Sequence, residues 1–518
     1  MKIGGYHFLR RLAPAYGPHY GVAAQGCLRG MGLIYVISFW SLAAQLVALS
    51  GNSGLMPAQL VLSFYRQLSG DLAPLYFPSV LWASQQPLML LGVTGLGTLA
   101  GLCLLYGFYP WISALISWVC WVSLLQVCQP WMSLPGDALT AETGLILLGL
   151  IPPLCRTYPP VHKMGSRITS IILLNALLCK ILFSSGLAKL SFGDVHWADG
   201  TALYYFFETQ PFPTVGAWYL HHLPGVLLKY GLWGMMFIEL ILPFYVVLPR
   251  TFRNILAGGV TLQSLILMLT GHFGFLPLLM FLLAFGLVDD VSWRKVLPAS
   301  WAPPAAVSIH QPGFLSVLIL LGMLPLMIWQ TSLRSPSNVP RPWKWIEAGL
   351  ERVHAANRYA LFSEVHEQRK EISIQGSLDG RQWIEYRFRL KPTDPRSLPM
   401  MPILHLPRLD QAFEHLAAEI DSTGQAQTPL WLLRLMEKLL VNDPSTLSLF
   451  PVNPFPEEPP AYLRLAVYEY TFADPVTRRN EEVWWERRFI GFYGPVFSKQ
   501  NPVPIPKEPT PQGPASQE

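Results

Sequence analysis

Nine mostly apolar runs punctuate the chain, at residues 31–49, 87–107, 111–128, 138–154, 168–187, 226–248, 254–269, 273–288 and 314–330. A helix needs about 20 such residues to cross the hydrocarbon core of a bilayer, so the pattern predicts about nine membrane spans. The two runs flanking Gly271 also fit a helical hairpin. Beyond residue 345 the period changes. The stretch "EISIQGSLDGRQWIEYRFRL" alternates apolar and polar positions on both sides of Asp379-Gly380, which is a hairpin signal. "YLRLAVYEYTFA" alternates too, and "EVWWERRFIGFYG" makes a second hairpin with it. Between them, "PRLDQAFEHLAAEI" and "LWLLRLMEKLLVN" carry the spacing of amphipathic helices. The expected architecture is an α-helical polytopic membrane protein with a C-terminal, extracytoplasmic, β-rich α+β domain. Its expected divisions are an N-terminal cytoplasmic segment 1–30, a transmembrane domain 31–330, the β-rich domain with a helical insert 331–500, and a tail 501–518. That tail is rich in proline and polar residues and is expected to be disordered.

Composition sharpens this division. Hydrophobic residues make up 51% of the 518 positions and charged residues only 13%, against about 25% in soluble domains. Through Gln330 there are 15 Lys+Arg and 9 Asp+Glu; after it there are 22 and 23. The net charge of +5 comes with no basic tract, so nucleic acid is not an expected partner. Four basic groups orient the spans: Arg10, Arg11 and Arg29; Arg156, Lys163 and Arg167; Arg250 and Arg253; Arg294 and Lys295. With alternating spans all four fall on one side, expected to be the cytoplasm. The C-terminal domain then lies opposite, in periplasm or lumen. The stretch before the first span lacks an early apolar core and a small-residue cleavage site, so that span is expected to act as an uncleaved anchor. All six cysteines lie in the membrane half and none forms C-x-x-C, which argues against a disulfide scaffold or a cysteine metal site. Gly92, Gly95, Gly97 and Gly101 in the second span are expected to let helices approach closely.

Candidate chemistry concentrates at two places. Lys180 and Glu239 sit within spans; ionisable groups at that depth normally find partners, and the expectation is that they pair with each other. Glu142 lies near the end of its span and carries less information. The second place is "GLAKLSFGDVHWADGTALYYFFETQPFPT", within a loop over 186–225. It gathers Lys189, Asp194, His196, Trp197, Asp199 and Glu208, with His221 and His222 just beyond. Lys189 and Glu208 are the favoured functional groups, since neither is needed for a turn; Asp194 and Asp199 suit turn capping. Lys189 also suits a base, because burial lowers a lysine's pKa. His221 and His222 are adjacent, a poor spacing for joint metal ligands on a helix. No metal or cofactor is expected.

That loop, with "GLIYVISFWSLAAQLVALSGNSGLMPA", "FIELILPFYVVLPR", "LTGHFGFLPLLMFLLAFGLVDD", "NRYALFSEVHEQRKEISIQGSLDGRQWIEYRFRLKP" and "NPFPEEPPAYLRLAVYEYTF", resembles the lipase maturation factor family over nearly the whole chain. One departure is at Gln411-Ala412-Phe413, where the family usually carries further tryptophans. The resemblance implies a membrane-embedded maturation factor or chaperone. Its partners would be membrane lipids and a secreted client such as a lipase. The short, cysteine-poor form looks like a bacterial member, implying the inner membrane with the C-terminal domain in the periplasm; the endoplasmic reticulum is the alternative. A shorter likeness, "GLAKL…W…G", is similar to the membrane region of the vitamin K-dependent gamma-carboxylase, and places Lys189 on a base position with Trp197 and Gly200 after it. The spacing is longer here. The maturation-factor reading expects exposed apolar surface near the loop. The enzyme reading expects Lys189 to face a sizeable pocket with His196, Asp199 or Glu208 converging on it. A lipase itself is not expected, because no G-x-S-x-G occurs.

Overall fold

The first apolar run extends beyond its pattern. Helix α1 covers Gly21–Ser50 and is 30 residues long. Its start is capped from far along the chain: the Asp290 carboxylate accepts hydrogen bonds from the backbone N–H of Gly21 (3.0 Å) and Val22 (2.9 Å). A helix begins with N–H groups that lack intrahelical partners, and an anion there also suits the macrodipole. The computed structural model describes residues 20–153, 155–159, 168–191, 193–298, 341–399, 404–420 and 428–499. The expected span 314–330 and the tail 501–518 lie outside the described residues.

After α1 come α2 (Ala58–Ser69), α3 (Pro87–Tyr106), α4 (Pro110–Val127), α5 (Pro135–Leu148) and α6 (Ile168–Ser191). The loop region then forms α7 (Val195–Asp199), α8 (Ala202–Thr209) and α9 (Val215–His221) before α10 (Gly225–Leu240), α11 (Arg250–Thr270) and α12 (Leu276–Leu287). Five of these helices, α1, α3, α4, α6 and α11, are long and apolar enough to cross a membrane. The pair α9 and α10, bent by 112° at its break, adds a sixth if it counts as one span. The nine expected spans therefore reduce to five or six among the described residues. Run 138–154 yields α5 of only 14 residues, with Pro152 and Pro153 following soon after it. Run 273–288 yields α12 of 12 residues. At 1.5 Å per residue these reach only about 21 and 18 Å, short of a core of about 30 Å. Apolar character here serves burial inside the bundle. The pair α11 and α12 turns at Gly271, as the hairpin alternative expects.

The small-residue expectation holds for two of four glycines. A Cβ on Gly97 would meet the Phe39 ring at 2.4 Å, and Gly101 backs directly onto α1. Gly92 and Gly95 face open space.

The C-terminal part begins with helix α13 (Arg341–Glu351) and an irregular strap, 352–368. An antiparallel sheet follows, with strands β1 (Arg369–Ser377), β2 (Ile384–Glu385), β3 (Tyr462–Phe472) and β4 (Trp485–Ser498) in the order β2-β1-β3-β4. Helices α14 (Arg408–Ala418) and α15 (Leu430–Leu439) lie between β2 and β3 in sequence. Their apolar faces form one core with the sheet through Phe413, Leu416, Leu432, Leu435, Ile372 and Leu465. Membrane-side residues Ala48, Leu49, Leu55 and Trp131 belong to that same core. Trp131 meets Trp431 edge to face, with centroids 5.7 Å apart.

Candidate functional site

Lys189 lies near the C-terminal end of α6 and is fully buried. Its Nζ is 2.7 Å from Glu239 Oε2 on α10 and donates to the Leu361 carbonyl of the strap at 2.9 Å. The Trp197 ring lies 5.2 Å from the ammonium, an added attraction for a desolvated cation. Glu239 uses its other oxygen to accept from Gln263 Nε2 on α11 at 2.9 Å.

Nine residues earlier on α6, Lys180 makes a second buried centre. It pairs with Glu142 on α5 and donates to the Asn357 carbonyl at 3.1 Å. Glu142 also accepts from Asn357 N (3.1 Å) and Tyr359 Oη (2.8 Å). The expected Lys180–Glu239 pair is thus corrected: each lysine takes a different carboxylate. Nine residues are 2.5 helical turns, which puts the two lysines on opposite faces of α6.

Most of the remaining loop residues reach the C-terminal part, while Asp199 and His222 bond within the loop. Asp194 caps α7 by accepting from His196 N at 3.0 Å, and its second oxygen accepts from Val365 N at 2.8 Å. Trp197 Nε1 donates to the Ser363 carbonyl at 3.1 Å. His196 contacts Thr201 Oγ1 at 2.9 Å and Glu367 Oε1 at 3.2 Å. Asp199 is exposed and accepts from Thr201 N and Oγ1; those two hydrogen bonds hold its carboxyl below the usual range. Glu208 is buried and accepts from Phe472 N of β3 at 2.7 Å. Burial pushes its carboxyl up, partly offset by that bond. Arg369 of β1 donates to the Glu208 and Gln210 carbonyls at 3.1 and 2.7 Å. His221 stacks on Tyr204 and lies 3.8 Å from Glu208 Oε2. His222 Nδ1 bonds the Trp218 carbonyl at 2.8 Å, while Trp218 Nε1 donates to the Ala473 carbonyl at 2.9 Å.

Lys189, Trp197 and Glu239 therefore form one group, and Glu208 with His221 another. His196 and Asp199 stand apart from both. None of His196, Asp199 and Glu208 converges on Lys189 as the enzyme reading expects; Glu239 and Gln263 beside it line a cavity of about 20 Å³. No cluster of three or more His, Cys, Asp or Glu side chains able to hold a metal occurs among the described residues.

One junction escaped the sequence entirely. Arg408, opening α14, forms a two-pronged pair with Asp137 in the first turn of α5, at 2.6 and 2.7 Å. Both side chains are buried, and Arg408 also donates to the Trp131 carbonyl at 3.0 Å. Beside it, Gln45 of α1 donates to the Leu406 carbonyl (2.8 Å) and accepts from Arg408 N (2.8 Å). Asp137 precedes an apolar run and reads as a helix-start residue, so its spacing gives no sign of a remote partner.

These contacts define a class: a polytopic helical membrane protein whose C-terminal α+β domain is fastened to one end of the bundle by buried charges and backbone hydrogen bonds. The family follows from comparison with known proteins. The lipase maturation factor transmembrane domain matches residues 22–295, and the lipase maturation factor C-terminal domain matches residues 355–495. The chain belongs to the lipase maturation factor family and is an integral membrane protein. It is 28% identical to lipase maturation factor 1 of Homo sapiens, over 91% of this chain and 87% of the relative. It is 27% identical to the Bos taurus counterpart, over 92% and 88%. Lipase maturation factor 2 of Rattus norvegicus is 26% identical, over 93% and 84%. No solved structure matches the chain.

Proposed function

We propose that this chain is a membrane-embedded maturation factor that holds secreted proteins, lipases among them, while they fold or assemble. The relatives' name supplies the lipase. The observation that carries client holding is strand β4. It has 14 residues and, among the described residues, pairs on one side only, with β3. Phe489, Ile490, Phe492 and Val496 along it are 45–53% exposed. A long apolar edge strand is an aggregation hazard that soluble proteins normally blunt, and it is the surface to which an extended segment of another chain can add. In this reading Lys189 and Glu208 are positioning residues: they fasten the domain so that β4 stands at a fixed distance from the bundle.

The favoured location is a bacterial inner membrane with the C-terminal domain in the periplasm. The grouping of Arg29, Arg156, Arg250, Arg253, Arg294 and Lys295 supports that orientation. The endoplasmic reticulum, with the domain in the lumen, is the topological equivalent.

The test is co-expression of a secreted lipase with the parent chain or with a Phe489→Lys, Phe492→Lys variant. Both positions are exposed, so the variant should melt and accumulate as the parent does. Expected is loss of lipase co-purification and of secreted lipase activity. Normal capture and activity from a stably expressed variant would overturn the edge-strand reading.

A further inference from the structure

A groove of about 370 Å³ runs between α10 and α11, beneath the helices α8 and α9 that fold over it. Its wall extends on α10 from Leu227 to Ile238 and on α11 from Leu262 to Thr270. Along α10 that is about 17 Å at 1.5 Å per residue. The volume has room for roughly a dozen methylenes if each takes about the ~30 Å³ of a water-sized group in a liquid.

We propose that this groove binds one acyl chain of a membrane lipid, entering sideways from the bilayer. Three observations point to that occupant. First, the groove is continuous with outward-facing apolar surface. On α10, Val226, Tyr230, Trp233 and Phe237 are 47–71% exposed, and on α11 Leu265 and Leu269 are 47% and 60% exposed. In a membrane helix such residues meet lipid, so hydrocarbon is what lies at the mouth.

Second, the wall has few polar side chains, and most of their groups are spent. Trp197 donates its indole N–H to the Ser363 carbonyl, Gln263 its amide N–H to Glu239, and Thr270 its hydroxyl to the Ile266 carbonyl. What remains is the second N–H of the Gln263 amide and one buried acceptor, Gln263 Oε1, without a hydrogen-bond partner among the described residues. The wall therefore offers no charged group to a phosphate or carboxylate, and it selects for a chain rather than a headgroup.

Third, two glycines shape the floor. A Cβ added at Gly234 would meet no atom within 4 Å, and one at Gly231 would meet only Leu203 Cδ1 at 3.4 Å. The α10 backbone is thus bared to the groove over one turn, leaving width for a chain. Because α8 and α9 form the roof, and those helices carry Glu208 and Trp218, a bound chain would brace the seam that holds the C-terminal domain.

The experiment reconstitutes the full chain in phosphatidylethanolamine–phosphatidylglycerol vesicles doped with a phospholipid that bears a diazirine on one acyl chain. After illumination, adducts are mapped by peptide mass spectrometry. Adducts on 227–238 and 262–270 are expected to saturate at low probe fraction, while those on the exposed face of α3 rise in proportion to it. Gly234→Leu starts from a Cβ position with no atom within 4 Å, narrows the floor and should lower groove adducts roughly tenfold, the scale of two methylenes excluded from the groove. Gly258→Leu, which adds the same side chain at another open position on α11, should leave them unchanged. Groove adducts that never saturate in the parent chain, or that persist in a folded Gly234→Leu protein, would overturn the proposal. The saturation measurement needs no variant, so a folding defect in Gly234→Leu does not blunt it. Neither readout involves a client protein, so client holding and lipid binding succeed or fail separately.

Discussion

The Arg408–Asp137 junction allows a quantitative test of how the C-terminal domain is held. The perturbation is Asp137→Asn, which keeps the size and removes the charge. Both side chains are at most 2% exposed, so the guanidinium left behind cannot recover its solvation without undocking. Breaking one member of a buried pair costs about 3–5 kcal/mol, because the surviving charge is uncompensated. At about 1.4 kcal/mol per decade, the docked-to-undocked ratio should fall by roughly two to three and a half decades. A double variant, Asp137→Leu with Arg408→Leu, leaves no lone charge and should lose much less than the two single variants summed. The contact of Trp131 with Trp431 gives a local reporter. Tryptophan fluorescence during thermal or denaturant titration should show an early transition in Asp137→Asn, together with faster protease release of the C-terminal domain. If Asp137→Asn undocks no more readily than the parent, or if the double variant loses the full sum, the pair is not what fastens the domain.

Two further outcomes follow from the buried charges. Double-mutant cycles should show coupling for Lys189 with Glu239 and for Lys180 with Glu142, and close to none for Lys180 with Glu239; melting temperatures of the detergent-solubilised variants read this directly. In α14, burial pushes the Glu414 carboxyl from its ordinary 4.5 up to about 7, so the folded chain holds a proton that the unfolded chain releases between those values. The resulting stability is fully present below about pH 4.5 and lost as pH rises through about 7, at most ~3 kcal/mol; Glu414→Gln should flatten that part of the stability–pH curve, and an unchanged slope would refute it.

Local pattern was legible where one face of an element is buried. The helical spacing of α14 and α15 is set by that burial, and the sequence shows it directly; in the sheet the alternation locates the strands but not their burial, since β1 is buried on both faces and β4 is exposed along most of its length. The second arm of the first hairpin is shorter than its alternation suggests, only Ile384–Glu385. Just after it the chain leaves the ladder: the N–H groups of Leu390 and Lys391 bond to Asp410, and the Arg389 side chain bonds to the Ser448 and Leu449 carbonyls. Such bonds are non-local, and no window of sequence reveals them. The same limit applies to the charges. Depth in a span can be read from sequence, but facing cannot be read without knowing the neighbours. Lys180 and Glu239 looked matched in depth, yet α6 presents Lys180 to α5 and Lys189 to α10. The loop's crowding of polar groups was visible; its target was not, because Val365, Ser363, Phe472 and Ala473 offer only backbone atoms.

That reliance on backbone explains why so many polar residues gather where α6 ends. A domain docked on a bilayer-embedded bundle must satisfy the main chain of the strap 352–368 where it packs against the helices, as around the buried Ala355, Ala356 and Tyr359. Each lysine of α6 does two tasks at once. It neutralises a carboxylate on a neighbouring helix and gives a second hydrogen bond to a strap carbonyl, Asn357 for Lys180 and Leu361 for Lys189. Helix packing and strap placement are then one cooperative event, since neither lysine is satisfied until both partners are present. Arg408 repeats the scheme in reverse, a C-terminal cation reaching a membrane-side carboxylate and the Trp131 carbonyl. Charges placed this way contribute less net stability than apolar side chains would. They do fix register, because a misplaced strap leaves buried ions unpaired. A fixed register keeps the exposed apolar edge of β4 at one orientation to the bundle rather than on a swinging arm.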